Sequence, residues 1–168
     1  MKDPIVLRYE ISEESEIPLL IEWLKDPLIL RWFPMIRDVE IEDASKVWID
    51  HYGKQFQSAF TIFQGEEIVG FFNFYISPIA KLKHQTLFSI IIHPEKRGKG
   101  LGRAIIEEMK VRAKKDFQIE NLHLEVYREN PAIRLYESTG FVEYGVHRNF
   151  LKEKDGTYRD KILMQQWL

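Results

Sequence analysis

The feature that most constrains the fold is an apolar strand pattern that runs through a glycine-rich, cationic turn into an amphipathic helix pattern. Residues 86–92 are apolar throughout their second half, which is typical of a central strand covered on both faces of a sheet. After the turn, apolar side chains recur at four-residue spacing, at Leu101, Ile105, Met109, Ala113 and Phe117. That spacing places them on one stripe and predicts a helix over residues 101–116.

The rest of the chain predicts further strands and helices. Apolar, aromatic and β-branched runs predict strands at 5–9, 59–64, 68–76, 122–126, 141–150 and 158–167. Helices are predicted at 15–25, 43–52 and 131–138. This order of elements predicts an α/β fold of mixed α+β type, with a central mixed sheet of about six to seven strands.

Local signals set the predicted ends and inward faces of the first two helices. Ser15 is expected to cap the first helix, Pro18 lies in its first turn, and Asp26-Pro27 ends it. The side chains expected to face the core from these two helices are Leu19, Leu20, Trp23, Leu24, Val47 and Trp48.

Length and composition predict one ordinary domain over residues 1–168, since 45% of the 168 residues are hydrophobic and there is no cysteine. No run approaches the ~20 apolar residues of a membrane helix, and the start lacks the apolar region of a signal peptide. We therefore expect a cytoplasmic protein that does not act at a membrane. The five histidines show no metal-ligand spacing, so no metal is predicted.

Charge is nearly balanced over the chain but unevenly distributed. The net charge of −2 argues against a nucleic-acid-binding protein. Residues 1–50 carry a net charge of −6, whereas residues 96–168 carry +4.

The turn after the central strand has the composition of an anion-binding loop. It runs from Ile91 to Arg103 with the sequence IIHPEKRGKGLGR. Glycines let the backbone turn tightly, so that successive N–H groups and the positive end of the helix can converge on phosphate oxygens. Its cations are Lys96, Arg97, Lys99 and Arg103. The turn lacks the Gly-Lys-Ser/Thr of a Walker loop and the downstream acid of a dinucleotide fingerprint. An ordinary tight turn before a helix is the alternative.

Two blocks together resemble the GNAT superfamily of N-acetyltransferases. The pyrophosphate loop of that family follows Gln/Arg-x-x-Gly-x-Gly/Ala, which is met by Arg97, Gly100 and Gly102. Residues 124–141, LEVYRENPAIRLYESTGF, resemble the family's Asn…Ala…Leu-Tyr-Glu-x-x-Gly-Phe segment. The resemblance covers nearly the whole chain and implies the family's fold, with helices on both faces of the sheet.

The resemblance also implies acetyl-CoA as the acyl donor and assigns its binding residues. The pyrophosphate is expected on the amides of Arg97, Gly98, Lys99, Gly100, Leu101 and Gly102. Arg103 is expected to add positive charge there. The pantetheine arm is expected along the strand edge at Ile91 and Ile92, with a hydrogen bond from Asn130. The thiol is expected near Tyr136, whose phenol would donate a proton to the departing thiolate.

The resemblance offers two positions for the general base, one from each of two branches of the family. The strand glutamate of the histone-acetylating branch falls on Thr86, which cannot accept the proton. Ribosomal-protein alanine N-acetyltransferases resemble this chain in a Leu-Glu-Val strand whose glutamate acts as the base, and the match falls on Glu125. A solvent-facing or ion-paired carboxylate at Glu125, and a core tyrosine at Tyr136, are the alternatives.

The expected acceptor is a primary amine, either a peptide or a small molecule. The Leu-Glu-Val strand and the ending at 149–160 resemble ribosomal-protein N-terminal acetyltransferases, which slightly favours a peptide α-amine. Trp32-Phe33 and residues 156–160 also resemble polyamine and amino-sugar acetyltransferases. The acidic first third would attract a protonated amine. A non-catalytic acyl-CoA-binding module is a further alternative, because Thr86 replaces the usual acid. A monomer and a homodimer are both compatible with the sequence.

Overall fold

A computed structural model describes residues 5–168 of the chain. The strands are β1 Arg8–Ile11, β2 Ala59–Gln64, β3 Glu67–Tyr75, β4 Gln85–Ile92, β5 Asn121–Tyr127, β6 Val142–Lys152 and β7 Tyr158–Trp167. The α-helices are α1 Ile17–Lys25, α2 Pro27–Leu30, α3 Asp38–Lys46, α4 Leu101–Phe117 and α5 Ala132–Ser138. A π-helix spans Val47–Gln55, and short 3₁₀ turns span Glu14–Glu16, Ala80–Leu82 and Pro94–Lys96.

The seven strands form one mixed sheet in the order β1-β2-β3-β4-β5-β7-β6. Strands β4 and β5 are parallel, whereas β5 and β6 each pair antiparallel with β7. This sheet confirms the predicted mixed α/β class and strand number. By contact density the chain divides into two compact units, one with the residues up to Ile76 and Phe88–Ala104, the other with Ser77–Leu87 and Ile105–Leu168. The single domain expected over residues 1–168 stays a prediction.

The core of the first unit lies where α1, α3 and the π-helix pack on the β2–β3 hairpin. Its fully or nearly buried members are Leu20, Trp23, Leu24, Ile29, Ile41, Trp48, Ile49, Ala59, Phe71 and Ile91. The Trp23 and Phe71 rings meet edge to face with centroids 5.2 Å apart. The inward positions predicted on α1 are confirmed for three of its side chains, while Leu19 is partly buried.

The N-terminal elements differ from the prediction in their boundaries. Strand β1 begins at Arg8 rather than at residue 5, because its ladder with β2 runs from Arg8↔Phe63 to Ile11↔Phe60. Ser15 does not cap the first helix, since it lies inside the 3₁₀ turn that precedes α1. A capping box begins this 3₁₀ turn, where the Glu16 carboxylate accepts a hydrogen bond of 2.8 Å from the Glu13 amide. Pro18 in the first turn and the end at Asp26 are confirmed.

The second helix begins earlier than predicted. Helix α3 starts at Asp38 because the Glu40 carboxylate accepts hydrogen bonds from the Ile36 and Arg37 amides, at 2.8 and 3.0 Å. The helix then widens into the π-helix, which changes the side chains that face the sheet. Trp48 is buried as predicted, whereas the inward position predicted for Val47 is wrong, since this side chain is 50% exposed.

In the second unit, alternate residues of β5 and β7 face opposite sides of the sheet. One side is apolar and buried, with Leu124, Val126, Ile162 and Met164. The register pairs Glu125 with Leu163 and Tyr127 with Lys161, so these residues share the other side. The carboxylate of Glu125 and the ammonium of Lys161 are therefore diagonal neighbours on this side, which we call the polar face of β5.

Candidate functional site

The loop between β4 and α4 begins with the 3₁₀ turn and then follows a path that requires glycine. Gly98 and Gly100 have φ angles of +74° and +88°. Residues with a Cβ atom rarely adopt this left-handed backbone conformation, which explains the glycine at both positions. Helix α4 begins directly after the second of them, at Leu101.

The backbone of this loop presents a run of amide groups that residues 5–168 leave without a partner. Within residues 5–168, the amides of Gly98, Lys99, Gly100, Leu101 and Gly102 have no hydrogen-bond partner. The last two belong to the first turn of α4, where the helix dipole is positive. Five adjacent donors at a helix start can bind phosphate oxygens.

The Arg97 amide differs from these donors, because it donates to the Pro94 carbonyl at 3.2 Å. Its side chain also binds locally, since Nε donates to the Ile92 carbonyl at 3.0 Å. Burial lowers the pKa of the Arg97 guanidinium, and nearby Asp26 acts in the opposite direction. Arg97 therefore ties the loop to the end of β4, and its contact with pyrophosphate stays a prediction.

The other cations of the loop differ in what they contact. Lys96 donates to the Glu67 carboxylate at 2.6 Å and is mostly buried. Lys99 and Arg103 are exposed. Lys99 lies in the glycine loop and Arg103 lies in the first turn of α4.

Strand β4 carries both isoleucines predicted to border the pantetheine arm. Ile91 is 2% exposed and Ile92 is partly exposed. The parallel ladder with β5 covers the three register pairs from Gln85↔Asn121 to Leu87↔His123, while β4 itself continues to Ile92.

Tyr136 lies in the middle of α5 and is 8% exposed. Burial raises the pKa of its phenol to about 12. Its ring meets Phe141 edge to face at a centroid distance of 6.0 Å, and its carbonyl accepts a hydrogen bond from the Phe141 amide at 3.0 Å. A hydroxyl in this setting keeps its proton at neutral pH and can act as a donor.

Asn130 begins the segment that leads into α5. Its side-chain oxygen accepts a hydrogen bond from the Ala132 amide at 2.9 Å, and its main-chain carbonyl accepts one from the Ile133 amide at 3.2 Å. The oxygen side of the Asn130 amide is thus used to form the turn. Its nitrogen side is the part that remains for a ligand.

Glu125 is an ion-paired carboxylate on the polar face of β5. Its Oε2 accepts a hydrogen bond of 2.6 Å from Lys161 Nζ, and the Glu125 side chain is 41% exposed. The carboxylate is therefore both ion-paired and partly exposed. The general-base role of Glu125 stays a prediction.

The structure groups the predicted residues by unit. The glycine loop and the β4 isoleucines lie in the first unit, whereas Glu125, Asn130 and Tyr136 lie in the second. Lys161, which contacts Glu125, was not predicted as a site residue from the sequence. A lysine in the middle of the last predicted strand was its only signal, and it becomes informative once the β5–β7 register is known.

Comparisons with known proteins identify the family. A sequence model of the Acetyltransferase (GNAT) family matches residues 18–141. The chain belongs to the GNAT acetyltransferase family, as its glycine loop and its β4–α4–β5–α5 order indicated.

Individual relatives cover parts of the chain. A [ribosomal protein bS18]-alanine N-acetyltransferase from Escherichia coli K12 is 40% identical over 84 residues, which are 49% of this chain and 55% of that protein. A spermidine N(1)-acetyltransferase from Vibrio cholerae is 44% identical over 79 residues, 44% of this chain and 42% of that protein. The matches thus span about half the length of these relatives.

A solved structure resembles the fold over nearly its whole length. The spermidine N-acetyltransferase from Vibrio cholerae, crystallised with CoA and spermine, has a TM-score of 0.79 at 23% identity. The likeness covers 96% of this chain and 95% of that one. Among residues 5–168, the helices are all too short or too polar to cross a bilayer.

Proposed function

We propose that this chain transfers an acetyl group from acetyl-CoA to a primary amine, by direct attack in a ternary complex, with a peptide α-amine slightly favoured as the acceptor. The observation that carries the proposal is the run of amides from Gly98 to Gly102, which are unpartnered within residues 5–168 and lie at the start of α4. Such a run fits a pyrophosphate better than an ordinary turn, because a turn normally uses its own donors.

The residues present fit an acyl-CoA donor. Acetyl-CoA supplies an activated acetyl thioester when it is bound. The loop amides would hold the pyrophosphate oxygens, and Lys99 and Arg103 would add positive charge around them. The Asn130 amide nitrogen would donate to the pantetheine arm, and the β4 backbone near Ile91 and Ile92 would pair with it as a strand does.

Tyr136 would serve as the general acid. Its pKa of about 12 keeps the phenol protonated through the physiological range. A thiolate that leaves during transfer needs a proton, and a buried neutral phenol can give one without a competing water.

Glu125 would accept the proton of the attacking amine, directly or through a water. Oε2 is bound to Lys161, whereas Oε1 has no hydrogen-bond partner within residues 5–168. A partly exposed carboxylate of this kind is reachable by an acceptor that approaches the polar face of β5.

The acceptor class is supported from two directions. The Escherichia coli relative is named for a ribosomal-protein alanine, and this favours a peptide α-amine. The Vibrio cholerae relative is named for spermidine, and a polyamine is the second candidate. The net charge of −6 over residues 1–50 suits either acceptor, since both arrive as cations.

We also propose that both units belong to one acetyltransferase domain, since the family match at residues 18–141 includes parts of each. The absence of cysteine in the sequence is compatible with the cytoplasm, where we place the reaction.

The test is acetyl-CoA-dependent thiol release over a panel of free-N-terminus peptides, polyamines, amino sugars and aminoglycosides. Turnover of one class, lost in Tyr136→Phe, would support the proposal and identify the acceptor. Saturable CoA binding with no turnover on any amine would contradict it and favour a non-catalytic acyl-CoA-binding module.

A further inference from the structure

Strand β6 contains an irregularity next to an aromatic side chain that contacts β7. The β6–β7 register shifts between His147 and Leu151, and Asn149 has a φ of +53°. Its amide donates to the Asp160 carboxylate at 3.0 Å. Asparagine adopts the left-handed region more readily than most residues, and the bond to Asp160 holds it there. Bulges of this kind re-aim side chains, often beside active sites.

Phe150 lies in this irregular stretch, directly after Asn149. Its ring centroid lies 3.6 Å from Lys161 Nζ, within the range of a strong cation–π contact. Lys161 is 9% exposed, and its ammonium also donates to Glu125 at 2.6 Å. A nearly buried ammonium is costly unless it is paired. Here an aromatic face and a carboxylate hold it in one position.

This arrangement fixes one oxygen of the candidate base. Lys161 holds Oε2 of Glu125, so the carboxylate cannot rotate freely, and Oε1 is left for a proton. The Glu125 charge also acts on the pKa of three other groups, in each case in the upward direction. These are His123 and Tyr127 on β5, and Tyr144 on β6.

We infer that Lys161 is a positioning residue that holds Glu125 in the orientation needed to accept the amine proton. The inference rests on the proposed function, in which Glu125 is the base. The contact with Phe150 fixes the position of the Lys161 ammonium. The ammonium in turn fixes the orientation of the Glu125 carboxylate through their hydrogen bond.

A structural role alone would give a different energetic signature. If Lys161 only stabilised the β6–β7 hairpin, its removal would have the same effect on rate whether or not Glu125 carried a charge. A positioning residue acts through its partner, so its effect disappears when the partner is removed.

The test is a double-mutant cycle on acetyl transfer with Lys161→Met, Glu125→Gln and the double variant. We expect Lys161→Met to lower kcat by about tenfold or more and to leave the acetyl-CoA KM within about twofold. In the Glu125→Gln background the same substitution should change kcat by less than about twofold. Lys161→Arg should restore most of kcat, since it keeps the cation.

Two further variants keep the test decisive. Lys114→Met on the exposed face of α4 is the matched control and should behave as wild type. If Lys161→Met does not fold, Phe150→Leu replaces it in the cycle, because it removes the ring and keeps the lysine. That variant should lower kcat less, and again only when Glu125 is present.

The outcomes separate the two proposals. An active wild type in which the losses from Lys161 and Glu125 multiply would overturn the positioning role and leave the acetyltransferase proposal standing. The positioning role would also be overturned if Lys161→Met raised only the acetyl-CoA KM, or if it left kcat unchanged. A wild type that is silent on every amine would overturn both.

Discussion

Gly70 on β3 lies directly against the Ile91 carbonyl of β4. A Cβ placed on Gly70 would be 2.8 Å from that oxygen and 3.1 Å from Ile62 Cδ1. Real Cβ contacts are not this short, so any larger residue must push the strands apart at the point where β4 leads into the glycine loop. Position 70 therefore couples the packing of the hairpin to the geometry of the candidate site.

Gly70→Ala should destabilise the protein by about 1–3 kcal/mol, because overpacking in a closed core costs that much. Urea unfolding measures the change, and Glu66→Ala in the exposed hairpin turn is the control. We also expect weaker CoA binding in the folded variant. Unchanged unfolding and unchanged CoA affinity would contradict the close approach.

Gly98→Ala should weaken CoA binding by about fivefold or more. The new Cβ meets no atom within 4 Å, but the φ of +74° disfavours it by roughly 1 kcal/mol, and the loop would relax away from the path that aligns its amides. Calorimetric titration of CoA measures the effect.

Gly156→Ala is the control for this loop substitution. Gly156 has a φ of +87° and equally open surroundings, but it lies in the turn between β6 and β7. We expect a similar loss of stability with CoA affinity unchanged. Equal weakening of CoA binding in both variants would show that the glycine loop has no special part in it.

Tyr136→Phe should lower kcat by at least about 10²-fold with little change in either KM, since it removes a proton donor and keeps the ring. Because burial raises the pKa of Tyr136 to about 12, the wild type should show no loss of kcat from this group up to about pH 10. Rates at saturating substrates between pH 6 and 10 measure both effects. A basic limb of kcat near pH 8 that vanishes in Tyr136→Phe would contradict the raised pKa.

His123 should make the protein less stable in mild acid. Burial lowers its pKa in the folded state, while Glu125 acts in the opposite direction. The unfolded chain then binds the proton more readily, so stability is highest above about pH 6.5 and falls as the pH drops below it. His123→Gln should reduce the fall between pH 7.5 and pH 5.5 in urea unfolding. An equally large fall in the variant would contradict this role of His123.

The sequence predicts most of this fold because its periodic segments are long and clearly bounded. Helix α4 and strand β4 agree with their predicted ranges to within one residue, since the glycine loop separates two different periodicities. The π-helix was not predicted, because an apolar pattern does not distinguish it from an α-helix over nine residues. The start of β1 depends on its partner strand, which no local pattern encodes.

In the candidate site, too, some features are encoded locally in the sequence and others depend on the pairing of strands. The glycine loop can be read locally because positive φ angles and a helix start leave a sequence signature. The contact between Glu125 and Lys161 joins residues far apart in the chain and depends on a strand register, as does the ring of Phe150. Such pairs become visible only when the strands are aligned.

The irregular path of β6 has a consequence for the protein in concentrated solution. This strand is the last in the sheet order, so one of its backbone edges faces no further strand of this sheet. A long regular edge would offer a template to a strand of another molecule and favour aggregation. The two register shifts and the left-handed Asn149 make β6 irregular, so the strand that carries Phe150 onto Lys161 is also a poor template for a strand of another molecule.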